Sequence, residues 1–147
     1  TMLDILQTHM KEAMKAREAE RLSTIRMLIA ALKNERIAKM ADLDEDEIVA
    51  VLSRELKRRY EASEQFRKGG RVDMAEKEER EAEIIKRYLP QPLTDGELKE
   101  IVQLAIVETK AESMKEMGKV MKEVMGKVKG RADGKRVQEA VRTLLGG

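Results

Sequence analysis

Cysteine is absent from the 147 residues, which excludes disulfides, thiolate metal sites and a cysteine nucleophile. Aromatic residues are almost absent too, with Tyr60, Phe66 and Tyr88 the whole set. Any core must therefore be aliphatic and, given ten methionines, methionine-rich. Proline occurs only at Pro90 and Pro92, which is permissive for long helices elsewhere. Histidine occurs once, at His9. Without a second His or a Cys, a zinc site of usual composition is excluded, and no metal or cofactor is expected. No apolar run approaches the ~20 residues that span a bilayer, and no signal-peptide-like stretch opens the sequence. These absences lead us to expect a cytoplasmic location and no membrane partner.

Apolar residues make up 41% and charged residues 39% of the chain, enough apolar side chain for a core and too much for a disordered tail. The length suits one domain or two small ones. Apolar spacing is helical nearly throughout, with no sustained period-two alternation. A first helix is expected from about Leu3 to Arg17 and a second from about Ala19 to Lys39. Asp44 with Glu47 reads as a capping box that opens a third helix, which stops at Gly69-Gly70. A fourth runs from about Val72 to Tyr88, and the two-glycine turn makes helices three and four an antiparallel hairpin. Pro90-Gln91-Pro92 ends it. Thr94 with Glu97 and Ser113 with Glu116 are further capping signatures, opening helices five and six. Gly126 is expected to weaken or end the sixth, and Asp133 to cap the seventh. The expected fold is all-α: a four-helix N-terminal part over 1–89, a proline linker at 90–92, and a three-helix C-terminal module over 93–147.

Chemistry-bearing residues concentrate in one place. Between Met117 and Val137 lie Lys119, Lys122, Lys127, Lys129, Arg131, Lys135 and Arg136 against only Glu123 and Asp133. This local excess of five compares with +2 for the whole chain. Gathered at a Gly-punctuated loop and a helix start, such an excess attracts phosphates. Gly118, Gly126, Gly130 and Gly134 do not have phosphate-loop spacing, and no strand leads into them. Gly130 reads as a helix stop, Gly134 as a loosened turn and Gly118 as a close-packing site. Met114, Met117, Met121 and Met125 fall at helical spacing, as a core stripe or as an adaptable partner groove. Arg54, Lys57, Arg58 and Arg59, and the glutamates from Glu76 to Glu83, read as solvated helix faces. His9 reads as a partly exposed helix residue, with no nucleophile and orienting acid around it. From Leu89 onward there is no aromatic side chain, which removes the base stacking that single-strand binders use and leaves backbone and shape recognition of folded RNA.

A family resemblance rests on Thr24-Ile25-Arg26-Met27-Leu28 with Lys33-Asn34-Glu35, and on Leu52-Ser53-Arg54-Glu55 with Lys57 and Arg58. It continues through Phe66-Arg67-Lys68-Gly69-Gly70-Arg71, Tyr88-Leu89-Pro90 with Leu93, Met117-Gly118-Lys119-Val120-Met121 and Gly130-Arg131-Ala132-Asp133-Gly134. On these, the chain resembles the YqeY-like proteins along nearly its whole length. Its C-terminal module resembles the tail domain of the B subunit of the tRNA-dependent Asp/Glu amidotransferase. Gly126 departs from the pattern, since many relatives have proline there. The resemblance implies two all-α domains, the second similar to one that rests on folded tRNA. It does not imply amidotransferase chemistry, because the catalytic, ATP-using part of that subunit has no counterpart here.

The expected function is therefore a non-catalytic protein that docks folded tRNA or similar structured RNA, accessory to tRNA-dependent amidation. The expected contacts are Lys119, Lys122, Lys127, Lys129, Gly130, Arg131, Asp133, Gly134, Lys135 and Arg136, with no catalytic residue. Two alternatives stand beside it: a component of a glutamine-dependent carbon–nitrogen ligase, and a protein-interaction adaptor without RNA.

Overall fold

The computed structural model describes residues 1–146 and is all-α, as the periodicity requires. Two compact units divide the chain, Thr1–Pro90 and the residues from Gln91 onward.

The first unit contains α1 (Met2–Ala16), α2 (Ala19–Lys39), α3 (Glu45–Lys68) and α4 (Val72–Lys86). Helix α2 packs against the other three. Its buried Ile25, Leu28, Ile29 and Leu32 meet Leu6 of α1, Val51 and Leu52 of α3 and Ile85 of α4. The expected start of α3 is present as a full capping box, in which Asp44 accepts from the Glu47 N–H and Glu47 accepts from the Asp44 N–H. Helices α3 and α4 form the expected hairpin. At the turn Gly70 has φ 75°, a left-handed conformation that a side chain would strain. Polar pairs run antiparallel across the hairpin. Arg59 reaches Glu81 at 3.1 Å, and Ser63 and Arg67 both reach Glu79, at 2.9 Å and 2.7 Å.

The second unit contains α5 (Asp95–Thr109), a 3-10 turn (Met114–Glu116), α6 (Met117–Val128) and α7 (Gly134–Gly146). Thr94 with Glu97 caps α5 as expected, whereas Ser113 with Glu116, expected to open the sixth helix, caps the 3-10 turn that precedes α6. Three helices close on one another around Leu98, Val102, Ala105, Val120, Val124, Val128, Val137 and Val141. The Leu93 N–H donates to the Arg131 carbonyl at 2.9 Å and ties the unit's first residues to the loop between α6 and α7.

Several expectations need correction. The core is not methionine-rich: none of the buried apolar residues is a methionine. Met117 and Met121 pack against the core only partly, and Met114 and Met125 are exposed. The inward stripe of α6 is instead Val120, Val124 and Val128, whose β-branched side chains have fewer conformations to lose on burial. Gly126 does not end α6, which continues to Val128. Gly118 does not permit close packing, because a Cβ there would meet nothing within 4 Å. The α3–α4 charges are not simple solvated faces either. Glu55 is 5% exposed, and Arg59 sits among Glu55, Glu78 and Glu81 at 3.8, 3.7 and 3.1 Å. Alternating charge hid this network, because a helix wheel of one strand of a hairpin does not reveal its cross-hairpin partners.

Candidate nucleic-acid interface

The last turn of α6 starts the loop. Lys129 has φ 44° and Gly130 has φ 80°, so two successive left-handed residues reverse the chain. Gly130 adopts this freely, and Lys129 does so at a steric cost of ~1 kcal/mol. Buried Ala132 then pins the loop into the core of the unit. Asp133 caps α7, its carboxylate accepting from the Arg136 N–H at 2.8 Å. That capping places a negative charge at the helix start beside Gly134 and Lys135.

Seven cations were expected to share one role, and the structure separates them into two sets. Lys127 donates to Glu108 of α5 at 2.8 Å and lies 3.6 Å from Glu123. The hydrogen bond to Glu108 holds the Lys127 ammonium above its ordinary pKa and the Glu108 carboxyl below its own. Arg131 donates through Nε to the Gln91 carbonyl at 2.7 Å, with Glu97 at 3.8 Å. Arg136 donates to Asp95 at 2.8 Å. These three staple the loop and the α6 and α7 ends to α5 and its approach.

Lys119, Lys122, Lys129 and Lys135 are exposed, and no carboxylate among the described residues pairs with them. On α6, where side chains repeat every 3.6 residues, Lys119 and Lys122 fall on the side opposite the buried Val120, Val124 and Val128. Gly126 falls there as well, with no atom within 4 Å of where its Cβ would be. Lys129 and Lys135 flank the Gly130 turn. This set has reach, charge and no internal competitor, which suits contact with a polyanion.

Sequence reasoning found the cations and missed their partners. Asp95, Glu97 and Glu108 lie 19 to 41 residues away in the chain, and no local pattern links carboxylates at that range. One signal was available, since a guanidinium is more often used than an ammonium for planar, fixed contacts. Both arginines of the cluster are held, and only one of its five lysines is.

Comparison with known proteins places the chain among relatives. It is 41% identical over 87 residues to Altered inheritance of mitochondria protein 41, mitochondrial, of Lachancea thermotolerans, a match covering 58% of this chain and 46% of that protein. It is 35% identical over 112 residues to the protein of the same name in Clavispora lusitaniae, covering 75% of this chain and 65% of that one. With the counterpart in Saccharomyces cerevisiae it shares 31% over 97 residues, or 65% and 52% of the two chains. The chain thus spans about half to two thirds of these relatives. Their names correct the expected cytoplasmic location, because proteins this similar are described as mitochondrial. The absence of cysteine was too weak a signal to fix a compartment. The family described as Yqey-like protein matches residues 3–145, and the chain belongs to that family.

Proposed function

We propose that the second unit docks the sugar–phosphate backbone of a folded RNA, such as tRNA, through Lys119, Lys122, Lys129 and Lys135. The observation that carries this reading is the set of four exposed lysines without acidic partners, on the outer side of α6 and around the Gly130 turn. Lys127, Arg131 and Arg136 hold the surface in shape and add to its field. The unit has no aromatic side chain, so the reading is of duplex or folded RNA met through phosphates, without base stacking. Resemblance to the tail of the tRNA-dependent amidotransferase B subunit supports tRNA as the form of RNA and an accessory place beside amidation. It gives no reason to expect the amidation chemistry itself, and turnover in a glutamine- and ATP-dependent assay would replace this reading with the ligase alternative.

The test is a salt titration of binding to two unrelated tRNAs and a single-stranded control. Lys122→Ala, Lys129→Ala and Lys135→Ala combined should flatten the log-affinity against log-salt slope by somewhat less than ~1 for each contact removed. Both tRNAs should lose affinity alike, since phosphate contacts carry no sequence information. An unchanged slope would remove the basic-surface reading. A preference for the single strand would remove shape recognition.

One observation favours the adaptor reading as a second activity of the same unit. Leu104 and Val107 are 52% and 71% exposed on the outer side of α5, an apolar surface that phosphates do not use.

A further inference from the structure

A second cluster of polar groups lies in the first unit, independent of the RNA reading. A pocket of about 270 Å³ is bounded by α1, the start of α2 and the end of α4. Its apolar floor is Met2, Ile5 and Ile84, and its polar groups are His9, Arg21, Arg87 and Tyr88. His9, the only histidine in the chain, has its Nδ1 2.7 Å from the Tyr88 hydroxyl, and the two rings lie 5.5 Å apart. Burial raises the Tyr88 phenol, with the Arg21 and Arg87 charges pulling the other way, so the phenol keeps its proton at neutral pH. With that phenol donating to Nδ1, the other ring nitrogen, Nε2, has no hydrogen-bond partner among the described residues.

The two arginines of the pocket are held differently. Arg21 is shared with Glu12 at 3.7 Å and Glu18 at 3.4 Å. Arg87 pairs with no carboxylate among the described residues. One unpaired guanidinium, that of Arg87, is thus left for a ligand beside the second ring nitrogen of His9 and over an apolar floor, while Arg21, Glu12, Glu18 and Arg87 together carry no net charge. A planar guanidinium matches a carboxylate, and a dianion would be half-neutralised with Glu12 and Glu18 close by. Small-molecule sites elsewhere combine an apolar lining with a few convergent polar groups in this way. We propose that this pocket binds a small monocarboxylate with a short apolar body, its carboxylate on Arg87 and His9 and its body on Met2, Ile5 and Ile84.

Because His9 is the sole histidine, its imidazole signals are an isolated reporter. The experiment titrates the full chain with acetate, butyrate and hexanoate at fixed pH and ionic strength, and follows the His9 ring by proton–nitrogen correlation. Chloride and inorganic phosphate are controls. Hexanoate should give a saturable shift at roughly tenfold lower concentration than acetate, equivalent to burying about two methylenes. The Arg87→Gln variant should need at least about tenfold more hexanoate. Ile84→Ser should keep acetate binding and lose the preference for chain length, which gives a second reading if Arg87→Gln disturbs the His9–Tyr88 pair. No saturable shift at concentrations on the order of 100 mM would overturn the proposal. So would an equal response to chloride, tighter binding of phosphate than of hexanoate, or wild-type behaviour of both variants. RNA binding should be unaffected by hexanoate, so this site and the basic surface can fail separately.

Discussion

The two units handle charge in opposite ways. Residues 1–90 contain nineteen basic and nineteen acidic side chains, and residues 91–147 contain eleven and nine, so density alone does not distinguish them. In the first unit the most prominent charge pairs join helices. Arg80 reaches Glu20 across sixty residues at 2.8 Å, Arg67 reaches Glu79, and Arg59 lies within its three glutamates. In the basic stretch of the second unit, from Met117 to Val137, three cations join helices and four lysines are left over. What singles out this surface is thus that its unmatched lysines cluster on one side of α6 and around one turn, and net charge reports that poorly. The first unit is neutral because its nineteen basic and nineteen acidic side chains balance, and the second is only mildly basic because eleven basic side chains face nine acidic ones.

The strongest way to break this comparison is to remove one unit. Val141 is fully buried in the second core, and Val141→Asp places a carboxylate there at a cost of several kcal/mol. A unit of this size holds only about 3–5 kcal/mol of stability, so it should unfold. The first unit, with its own core of Leu6, Ile25, Leu28 and Leu52, should keep its helices and the His9–Tyr88 contact. Circular dichroism with the His9 signals separates the outcomes. Loss of the His9 signals together with all helicity would show the units to be one cooperative body.

A smaller effect tests whether the charges of the first unit are structural. Burial and the neighbouring Glu78 raise the Glu81 pKa, and Arg59 opposes them. An acid with a raised folded pKa binds protons more readily in the folded state, so it favours folding as pH falls towards its unfolded pKa. Arg59→Met removes the opposing charge. The variant should be destabilised at pH 7 by about 2–4 kcal/mol, as when a half-buried pair loses one partner. Part of that loss should return between pH 7 and about 5. Glu20, Glu47 and Glu79 have lowered pKa values from their hydrogen bonds to Arg80, to the Asp44 N–H and Lys39, and to Arg67 and Ser63. Their contribution is fully present above the unfolded carboxylate pKa and fades only at lower pH, so it leaves this window clear. Thermal melts at several pH values check the sign, and a variant less stable at pH 5 than at pH 7 would contradict it.

The next contrast lies within the basic cluster. Arg131→Ala removes the bond to the Gln91 carbonyl and should cost about 1 kcal/mol of stability as well as some RNA affinity. Lys129→Ala should lower affinity and leave the melting temperature unchanged, as an exposed, unpaired charge contributes little to folding. Equal loss of stability in both would mean that the two sets of cations are not distinct.

What the sequence disclosed follows from how local each signal is. Helix starts at Asp44 and Thr94 were legible because a capping box closes within four residues, and the box at Ser113 was legible too, although it opens a 3-10 turn ahead of α6. The aliphatic stripes of α2, α5 and α7 were legible because 3.6-residue spacing is local too. Arg59 was misread and the partners of Arg131 and Arg136 were missed because those contacts link segments far apart in the chain. The methionines misled for another reason. Hydrophobicity put them in the core, but adjacent valines at Val120, Val124 and Val128 filled it and left Met125 outside. The candidate lysines were visible from the start; that four of them stay unmatched was not.

The smallest effect sharpens the contrast on α6 itself. Gly126 stands inside the helix on its outward side, with nothing within 4 Å of the place a methyl group would take. Glycine there costs about 0.8–1 kcal/mol relative to alanine, so Gly126→Ala should stabilise the second unit by about that amount in denaturant unfolding. The same substitution probes the RNA surface, because it adds one methyl between Lys119, Lys122 and Lys129 without changing charge. If phosphates approach the α6 backbone at Gly126, affinity for tRNA should fall several-fold while the salt slope stays at its wild-type value, since no cation is lost. If the lysines meet the phosphates further out, affinity should not change and only stability should rise. Either result locates the contact. A variant that is less stable than the parent would show that α6 needs glycine for a reason other than its outer surface, contrary to the open space around it.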